Sequence, residues 1–390
     1  YERGTPKMHD IESIFEKMRE GVRMGPIQVK ELKEAGVPVV GTYCTYTPWE
    51  LIRAAGGIAV TLCSTSEKPI AAAELHLPRN LCPLIKSSYG FALTDTCPYF
   101  HFCDLVVGET TCDGKKKMYE YLAELRPTHV MQLPQTTDHV LSQELWRYEV
   151  MRLKKKLEEQ FGVQITEEKL RAAIELRNKM HQTMLRFYDL SQLDAPVVTG
   201  RETMLVSDYL KFTFDYEKSM ALVDELTKKL KENYLEGERR VNPDAVRILI
   251  TGCPMGKSLE KVADAIESPD AGGVVVGFEN CGNLKCSSIA VDETKDPISA
   301  ITEKYLNIPC SVMSPNHGRI ALIKEYVQKY RAAGVADVIL QACHTYSVES
   351  RAIKEALKKE NVGYISIETD YSQGDSGQLS TRFGAFTEML

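Results

Sequence analysis

The residues most able to do chemistry in this sequence are cysteines that follow short apolar runs. The chain has 11 cysteines in 390 residues. The runs are rich in β-branched residues, as is typical of buried parallel strands, and the cysteines just past them are Cys44, Cys112, Cys253, Cys281 and Cys343. Because open α/β sheets bind ligands at the carboxyl ends of their strands, these thiols are placed to converge. A single buried cysteine is usually a small hydrophobe, but this repeated position predicts a ligand set.

The spacing of the cysteines favours an iron–sulfur cluster over zinc. Structural zinc usually takes cysteine pairs at short spacing, and the nearest pairs here, Cys97/Cys103 and Cys281/Cys286, are wider apart. Thiolates on separate strands suit an iron–sulfur cluster, which is bulky and needs no local ligands. Turn amides and helix N-termini near the strand ends would offset the negative charge of such a cluster.

Composition narrows the class of protein. Apolar content of 43% and charged content of 26% are ordinary for a globular protein. A net charge of −6 without a basic tract argues against nucleic-acid binding. No apolar run reaches the ~20 residues of a membrane span, and the opening segment YERGTPKMHDIESIF lacks the layout of a secretory signal. We therefore expect a cytoplasmic protein whose reduced thiols serve metal binding or catalysis.

Apolar periodicity predicts an α/β protein with two Rossmann-like parallel-sheet domains joined by a helical connector. Residues 1–140 would form the N-terminal α/β domain, beginning with two lead-in helices over 8–35. Residues 141–240 would form the connector, and residues 241–390 the C-terminal α/β domain. If the strand ends of both domains face a shared cleft, the cluster would lie in that cleft.

Local signals place the elements within these regions. The predicted strands are VPVVGTY, IAVTLC, DLVVGET and THVMQLP in the first domain, and VRILITG, GGVVVGFE, IPCSVM, ADVILQ and GYISIE in the second. In the connector, Gly162 is predicted to end one long helix and Thr166 to cap the next. A third helix is predicted over 205–235.

The segment GCPMGKS at 252–258 resembles a phosphate-binding loop. It has one residue fewer between its glycines than a Walker A loop, so its backbone amides cannot surround a β-phosphate in the same way. We interpret it as a tight strand-to-helix turn in which Pro254 starts the helix. The chain itself is therefore not expected to hydrolyse ATP.

Several segments resemble the 2-hydroxyacyl-CoA dehydratase and benzoyl-CoA reductase superfamily. They are GTYCTYTPWELIRAAG, LPRNLCPLIKSSYGF, DLVVGETTCDGKKKMYE, VILQACHTY, and IETDYS followed by GQLSTRFGAF. Within the superfamily they are most similar to the double-cubane cluster protein branch. The resemblance covers nearly the whole chain, and the blocks around Cys44, Cys82, Cys112 and Cys343 are long enough to be specific.

The resemblance implies a set of cysteine ligands. Dehydratase subunits hold one 4Fe–4S cluster on three cysteines, whereas the double-cubane branch carries an 8Fe–9S cluster with three cysteines on each cubane. The matching residues are Cys82, Cys112 and Cys343 for the first cubane and Cys44, Cys281 and Cys310 for the second. Cys253 and Cys286 lie close enough in sequence to replace Cys281 or Cys310.

The resemblance also implies an electron-driven reaction. Such proteins receive low-potential electrons from a separate small dimeric iron–sulfur ATPase, and we expect a homodimer that reduces a small unsaturated molecule at the cluster. One alternative is a 2-hydroxyacyl-CoA dehydratase subunit with a single 4Fe–4S cluster, which would need a heteromeric partner and a CoA pocket. The other is a non-enzymatic electron-transfer or cluster-storage protein.

Proton donors are predicted from their positions beside the cysteines. His344 adjoins Cys343, and Glu109 and Glu279 lie where strands end, so each could deliver protons to a reduced substrate. The alternative for each is a hydrogen bond to a loop backbone or contact with a metal ligand.

Other reactive side chains are expected to be structural. Lys115–Lys117 are expected on a solvated helix face or a docking patch. Cys63, at the end of the apolar run IAVTLC, is expected to pack in the core, and Cys103 is expected not to bind iron.

Overall fold

The computed structural model describes residues 6–390, with side chains from residue 10 onward. It begins with one long helix, α1 (Pro6–Glu34). The prediction of two lead-in helices is wrong, because the helix continues through Pro26. Met18 and Val29, on either side of this proline, are both fully buried, so packing holds the segment helical where proline alone would favour a break.

The first sheet has four parallel strands in the order β2–β1–β3–β4. These strands are β1 (Val39–Thr42), β2 (Ile58–Thr61), β3 (Leu105–Glu109) and β4 (Thr128–Met131). The helices of this half are α2 (Trp49–Ala54), α3 (Ile70–Ala73), α4 (Pro83–Leu93), α5 (Pro98–Phe102) and α6 (Asp113–Leu125). All four predicted strands are present, and β3 is buried along its whole length, as a central strand should be.

Four helices follow in the middle of the chain. They are α7 (Val140–Phe161), α8 (Glu167–Tyr188), α9 (Gly200–Phe212) and α10 (Tyr216–Leu235). Gly162 ends α7 with φ +63°, and the Thr166 side chain accepts from the Lys169 amide at the start of α8, as predicted. The third predicted helix is two helices, because Asp215 caps a new start at α10.

The second sheet repeats the order of the first, as β6–β5–β7–β8, again with all strands parallel. Its strands are β5 (Val246–Gly252), β6 (Gly273–Glu279), β7 (Gly334–Leu340) and β8 (Gly363–Thr369). Its helices are α11 (Ser258–Ile266), α12 (Leu284–Ser287), α13 (Pro297–Leu306), α14 (His317–Lys329), α15 (His344–Lys358) and α16 (Ser376–Glu388). The matching strand order indicates a duplicated architecture.

Two local predictions in this half are wrong. The segment IPCSVM is a loop, since Pro309 has no amide hydrogen for a strand ladder, and the loop instead joins the other half through Ser314 N to Gln135 O, at 2.7 Å. Helix α11 starts at Ser258 and not at Pro254. Gly252 ends β5 with φ +137°, and a Cβ there would lie 1.9 Å from the Val338 carbonyl oxygen, so only glycine fits this turn.

The observed architecture confirms the predicted two-sheet α/β fold. The division at residues 140 and 240 stays a prediction about domain boundaries. Within residues 6–390, no helix is both long enough and apolar enough to cross a membrane.

Candidate iron–sulfur site

A cavity of about 230 Å³ lies where the carboxyl ends of the two sheets approach each other. Its wall includes Cys44 and Cys63 from the first half and Cys281 and Cys286 from the second. We call it the central cavity. Parallel strands present their carboxyl ends at one edge of a sheet, so the duplicated fold brings thiols from both halves to one place.

One group of thiols consists of Cys44, Cys281 and Cys310. All three, with Cys286, are electrostatic neighbours of the buried Tyr46 hydroxyl. Hydrogen bonding with Cys281, aided by the Lys285 ammonium, lowers the pKa of Cys310 to about 5, and the same contact raises the pKa of Cys281 well above its ordinary value. Burial raises the pKa of Cys44. These are the three cysteines that the resemblance assigns to one cubane.

A second group consists of Cys82, Cys253 and Cys343. Hydrogen bonding with Cys343, together with burial, raises the pKa of Cys82, and hydrogen bonding with Cys253 raises the pKa of Cys343 to about 12. The Leu340 amide donates to the Cys253 sulfur at 3.0 Å. The structure thus brings the predicted Cys82 and Cys343 together, and the third thiol in contact with them is Cys253.

Cys112 lies beside a buried lysine. It is the residue before helix α6 and is half-buried. Burial alone would lower the pKa of Lys115. Its electrostatic attraction to Cys63, Cys44 and Cys112 is larger, so the pKa of Lys115 is raised. Lys115 is 7% exposed and lines the central cavity. The expectation that it lies on a solvated helix face is therefore wrong, while Lys116 and Lys117 are solvated.

The remaining thiols have protein partners. Cys286 is buried, contacts the Thr45 hydroxyl and accepts from the Gly282 amide at 3.4 Å. Cys63 packs against the core as expected, but it also lines the central cavity and donates to the Tyr43 carbonyl oxygen at 3.0 Å. Cys103 is buried and donates to the Tyr99 carbonyl oxygen at 3.1 Å, which agrees with the structural role expected for it.

The three predicted proton donors have very different surroundings. Glu109 is fully buried, and burial raises the pKa of its carboxyl to about 7. The Thr47 hydroxyl donates to one of its oxygens, while Oε2 has no hydrogen-bond partner among the described residues. His344 is exposed at the start of α15. Glu279 is fully buried in an ion-pair network.

That network involves residues that the sequence did not single out. Glu279 Oε2 lies 3.2 Å from Arg319 Nε, and Glu279 Oε1 lies 3.3 Å from Lys285 Nζ. Lys285 donates to the Tyr346 hydroxyl at 3.0 Å, which in turn lies 3.6 Å from Cys310 Sγ. The Tyr346 hydroxyl thus connects the buried ion pairs to Cys310 of the first thiol group. Because Glu279 is shared by two cations, its geometry favours holding charge over delivering protons.

Comparison with known proteins identifies the family. The model of the 2-hydroxyglutaryl-CoA dehydratase D-component family matches residues 44–390. The chain belongs to this family. This match confirms, at the level of the superfamily, the resemblance seen in the sequence. The chain is therefore a dehydratase-type subunit of that family.

Three relatives show how far the similarity extends. An Escherichia coli K12 protein with the provisional name dehydratase subunit YjiM is 52% identical over 98% of this chain and 99% of its own length. The beta subunit of (R)-phenyllactyl-CoA dehydratase from Clostridium sporogenes is 23% identical over 93% of this chain and 94% of its own length. The beta subunit of (R)-2-hydroxyglutaryl-CoA dehydratase from Acidaminococcus fermentans is 21% identical over 97% of this chain and 100% of its own length.

The thiols of this 2-hydroxyglutaryl-CoA dehydratase D-component family member are of the chemical type that holds an iron–sulfur cluster. Within the described part of the chain, no three His, Cys, Asp or Glu side chains are grouped to hold one metal ion. In a cubane each thiolate binds its own iron, so its ligands need not meet at one point. The buried Tyr371 hydroxyl, which has no partner among the described residues, neighbours Cys82, Cys253, Cys63 and Cys343. Thiolates are soft ligands that suit the iron of an iron–sulfur group. The thiols around this unpaired hydroxyl are therefore of the right type to hold one.

Proposed function

We propose that this chain is an iron–sulfur reductase that holds a double-cubane 8Fe–9S cluster and reduces small unsaturated molecules. The observation that carries the proposal is the pair of three-thiol groups, each drawn from both halves of the chain. Cys44 and Cys281 of the first group line the central cavity. A single cubane would need only one such group. When bound, the cluster would supply low-potential electrons and an iron surface for substrate.

The ligands proposed for one cubane are Cys44, Cys281 and Cys310. For the other they are Cys82 and Cys343 with Cys112, the residue implied by the resemblance, or with Cys253, the residue in contact with Cys343. Ionised thiolates are costly to bury without partners. Lys115 and Lys285, both buried, would offset part of this negative charge.

Glu109 is the proposed proton donor. A carboxyl with a pKa of about 7 is close to half-protonated at neutral pH, which suits both release and recapture of a proton. Thr47, which donates to Glu109, lines the central cavity. Protons could therefore pass from Glu109 through the Thr47 hydroxyl into the cavity. His344, being exposed, is proposed to exchange protons with solvent.

Electrons are proposed to come from a separate small iron–sulfur ATPase. The turn after β5 cannot act as a Walker A loop, because it is one residue short and holds the buried Met255. ATP coupling would then require a docked partner, as the family resemblance implies.

The decisive test is iron and acid-labile sulfide content after anaerobic purification. We expect about eight irons per chain. Acetylene should be reduced to ethylene only when ATP and the partner ATPase are both present. Zinc alone, or tight ATP binding by the isolated chain, would contradict the proposal.

A dehydratase subunit with one 4Fe–4S cluster is the second candidate. The names of the relatives from Clostridium sporogenes and Acidaminococcus fermentans favour it. About four irons per chain, with water elimination from a 2-hydroxyacyl-CoA ester in the presence of a second subunit, would support this function. An iron-bearing chain that turns over no substrate with low-potential electrons would instead be an electron-transfer or storage protein.

The proposed reductase is a homodimer, and helix α7 offers a surface for it. Exposed apolar side chains recur on α7 at three- and four-residue steps: Leu141, Leu145, Tyr148 and Met151. Such a stripe on a solvated helix is typical of a helix that packs against another helix.

A further inference from the structure

Helix α8 contributes a polar face to the central cavity that the proposed cluster ligands and proton donors leave unused. Arg177, Met180, His181 and Met184 recur at three- and four-residue steps on α8, and all line the cavity. The two methionines provide apolar wall. Arg177 and His181 are the groups on this face that could recognise a charged ligand.

His181 is buried with its hydrogen-bonding capacity unused. The residue is 6% exposed, and neither ring nitrogen has a hydrogen-bond partner of normal geometry among the described residues, although the Ile289 backbone lies close enough to interact. Burial, with the neighbouring cations of Lys304 and Arg177, lowers the pKa of His181 well below its ordinary value. The ring is therefore neutral, with one N–H donor and one acceptor nitrogen. Leaving such groups unpaired is costly, so a ligand that pairs with them is favoured.

The Arg177 guanidinium contacts an aromatic ring and, in the part of the chain that the structure describes, is not paired with a carboxylate of its own. Its guanidinium carbon lies 5.2 Å from the centroid of the Trp49 ring, and its buried Nε has no hydrogen-bond partner among the described residues. Glu50 is an electrostatic neighbour of Arg177. However, Glu50 already accepts from Lys304 at 3.0 Å and from the Tyr305 hydroxyl at 2.8 Å, so two cations share one carboxylate.

Apart from the proposed cluster ligands, the charged side chains that line the cavity are cations, and they are not equally compensated: Lys115 neighbours the thiols and Lys211 lies 3.7 Å from Asp208. Lys115, Arg177 and Lys211 line it, and none of its described lining residues is Asp or Glu. At about 230 Å³, the cavity is smaller than the ~300–1,000 Å³ typical of sites for drug-sized ligands. Its occupant should thus be small and negatively charged. Trp49 and Met180 belong to one apolar cluster in the same wall and offer a surface for a flat, unsaturated body.

We propose that Arg177 and His181 form an anion subsite that holds the carboxylate, or an equivalent anionic end, of a small unsaturated substrate. The unsaturated part then lies against Trp49 and Met180, in the cavity that Cys44 and Cys281 line. That the bound anion is a substrate rests on the proposed function. The anion subsite itself is tested by binding alone.

The test compares two ligands of equal carbon skeleton, propiolate and propargyl alcohol, by calorimetry on the anaerobically purified protein. We expect propiolate to bind about tenfold or more tightly, as hydrogen bonds to a charged group allow. Arg177→Gln should weaken propiolate binding about tenfold while leaving propargyl alcohol within about twofold. Arg177→Lys should keep part of the preference, because it keeps the charge and loses the forked geometry.

Arg53→Gln is the matched control. Arg53 is exposed, and its guanidinium lies 5.7 Å from the ring centroid of Tyr216, in the same aromatic group as Trp49, but it does not line the cavity. Its substitution should leave both affinities unchanged.

Three outcomes would overturn the subsite. These are equal affinities in the native protein, an unchanged preference in Arg177→Gln, and loss of iron in Arg177→Gln, which would assign the cation to the cluster. If the native protein keeps the preference for propiolate but fails to reduce acetylene under any low-potential condition, the anion subsite stands and the proposed reductase function falls.

Discussion

Lys115 Nζ donates to the carbonyl oxygen of Tyr43 at 2.8 Å, which fixes a lysine of helix α6 to the end of strand β1. The carbonyl of Tyr43 also accepts from the Cys63 thiol. One buried cation therefore connects the first sheet to the wall of the central cavity. Because the cation is surrounded by thiols and a carboxyl group, it has both a structural and an electrostatic role.

Lys115→Met should destabilise the protein and weaken its hold on iron. The Tyr43 carbonyl keeps the Cys63 thiol as a donor, so the cost is that of one hydrogen bond to a charged group, about 1.5–3 kcal/mol. The substitution also removes the positive charge beside Cys44 and Cys112. Urea unfolding of the metal-free protein measures the first effect, and iron content measures the second. Lys116→Met and Lys117→Met, at exposed positions of the same helix, should change stability by less than about 0.5 kcal/mol. Equal effects at all three positions would contradict this role.

Serine substitutions should separate the cluster ligands from the structural cysteines. Cys→Ser should lower iron content at Cys44, Cys82, Cys281, Cys310 and Cys343, because a serine oxygen is a poor ligand for iron. Cys103→Ser is the control and should leave iron content unchanged, since Cys103 hydrogen-bonds to Tyr99 in the core. Full iron content in Cys44→Ser would remove the double-cubane assignment.

The third ligand of the Cys82 and Cys343 group is decided by a pair of variants. The family resemblance implies Cys112, whereas the structure places Cys253 in contact with Cys343. We expect only one of Cys112→Ser and Cys253→Ser to lose about half of the iron, as the loss of one of two cubanes requires. If neither variant loses iron, this group does not hold a cubane.

Much of this arrangement could be predicted because it follows from local sequence. Apolar runs specify the strands, and a residue just past a parallel strand lies at the carboxyl edge of its sheet. The burial of Lys115 could not be predicted, since it depends on how α6 packs against β1, and a run of three lysines is typical of a solvated face. The Glu279–Arg319–Lys285–Tyr346 network joins residues distant in sequence. His181 lies on α8 beside apolar residues that recur at helical spacing. That pattern itself indicates that the histidine is buried.

Tyr148→Glu should dissociate the proposed homodimer. Tyr148 is 62% exposed on α7 between Leu145 and Met151, so a charge there would be buried only if two copies meet through this face. Sedimentation velocity should show a shift from dimer to monomer with unchanged secondary structure. Gln143→Glu, also at an exposed position of α7 but off the apolar stripe, adds the same single negative charge and is the matched control. A native chain that sediments as a monomer would exclude this interface.

Glu109→Gln should change how stability depends on pH. Burial raises the pKa of Glu109 from its ordinary value of 4.5 to about 7, so the folded state favours the protonated carboxyl. Its contribution to stability is fully present below about pH 4.5 and is lost as pH rises through about 7. The glutamine variant lacks this loss. Its free energy of unfolding, relative to the native protein, should therefore rise between pH 5 and pH 8 by up to about 3 kcal/mol.

Urea unfolding of the metal-free protein at both pH values measures this difference. Glu124→Gln, at an exposed position of α6, removes a carboxylate of the same size without altering the cavity and should show no such pH dependence. Acetylene reduction should fall in Glu109→Gln even where stability rises, because the proton donor is lost while the buried charge that opposed folding is removed. A variant that keeps full turnover would exclude Glu109 as the proton donor and leave the Thr47–Glu109 contact as a purely structural one.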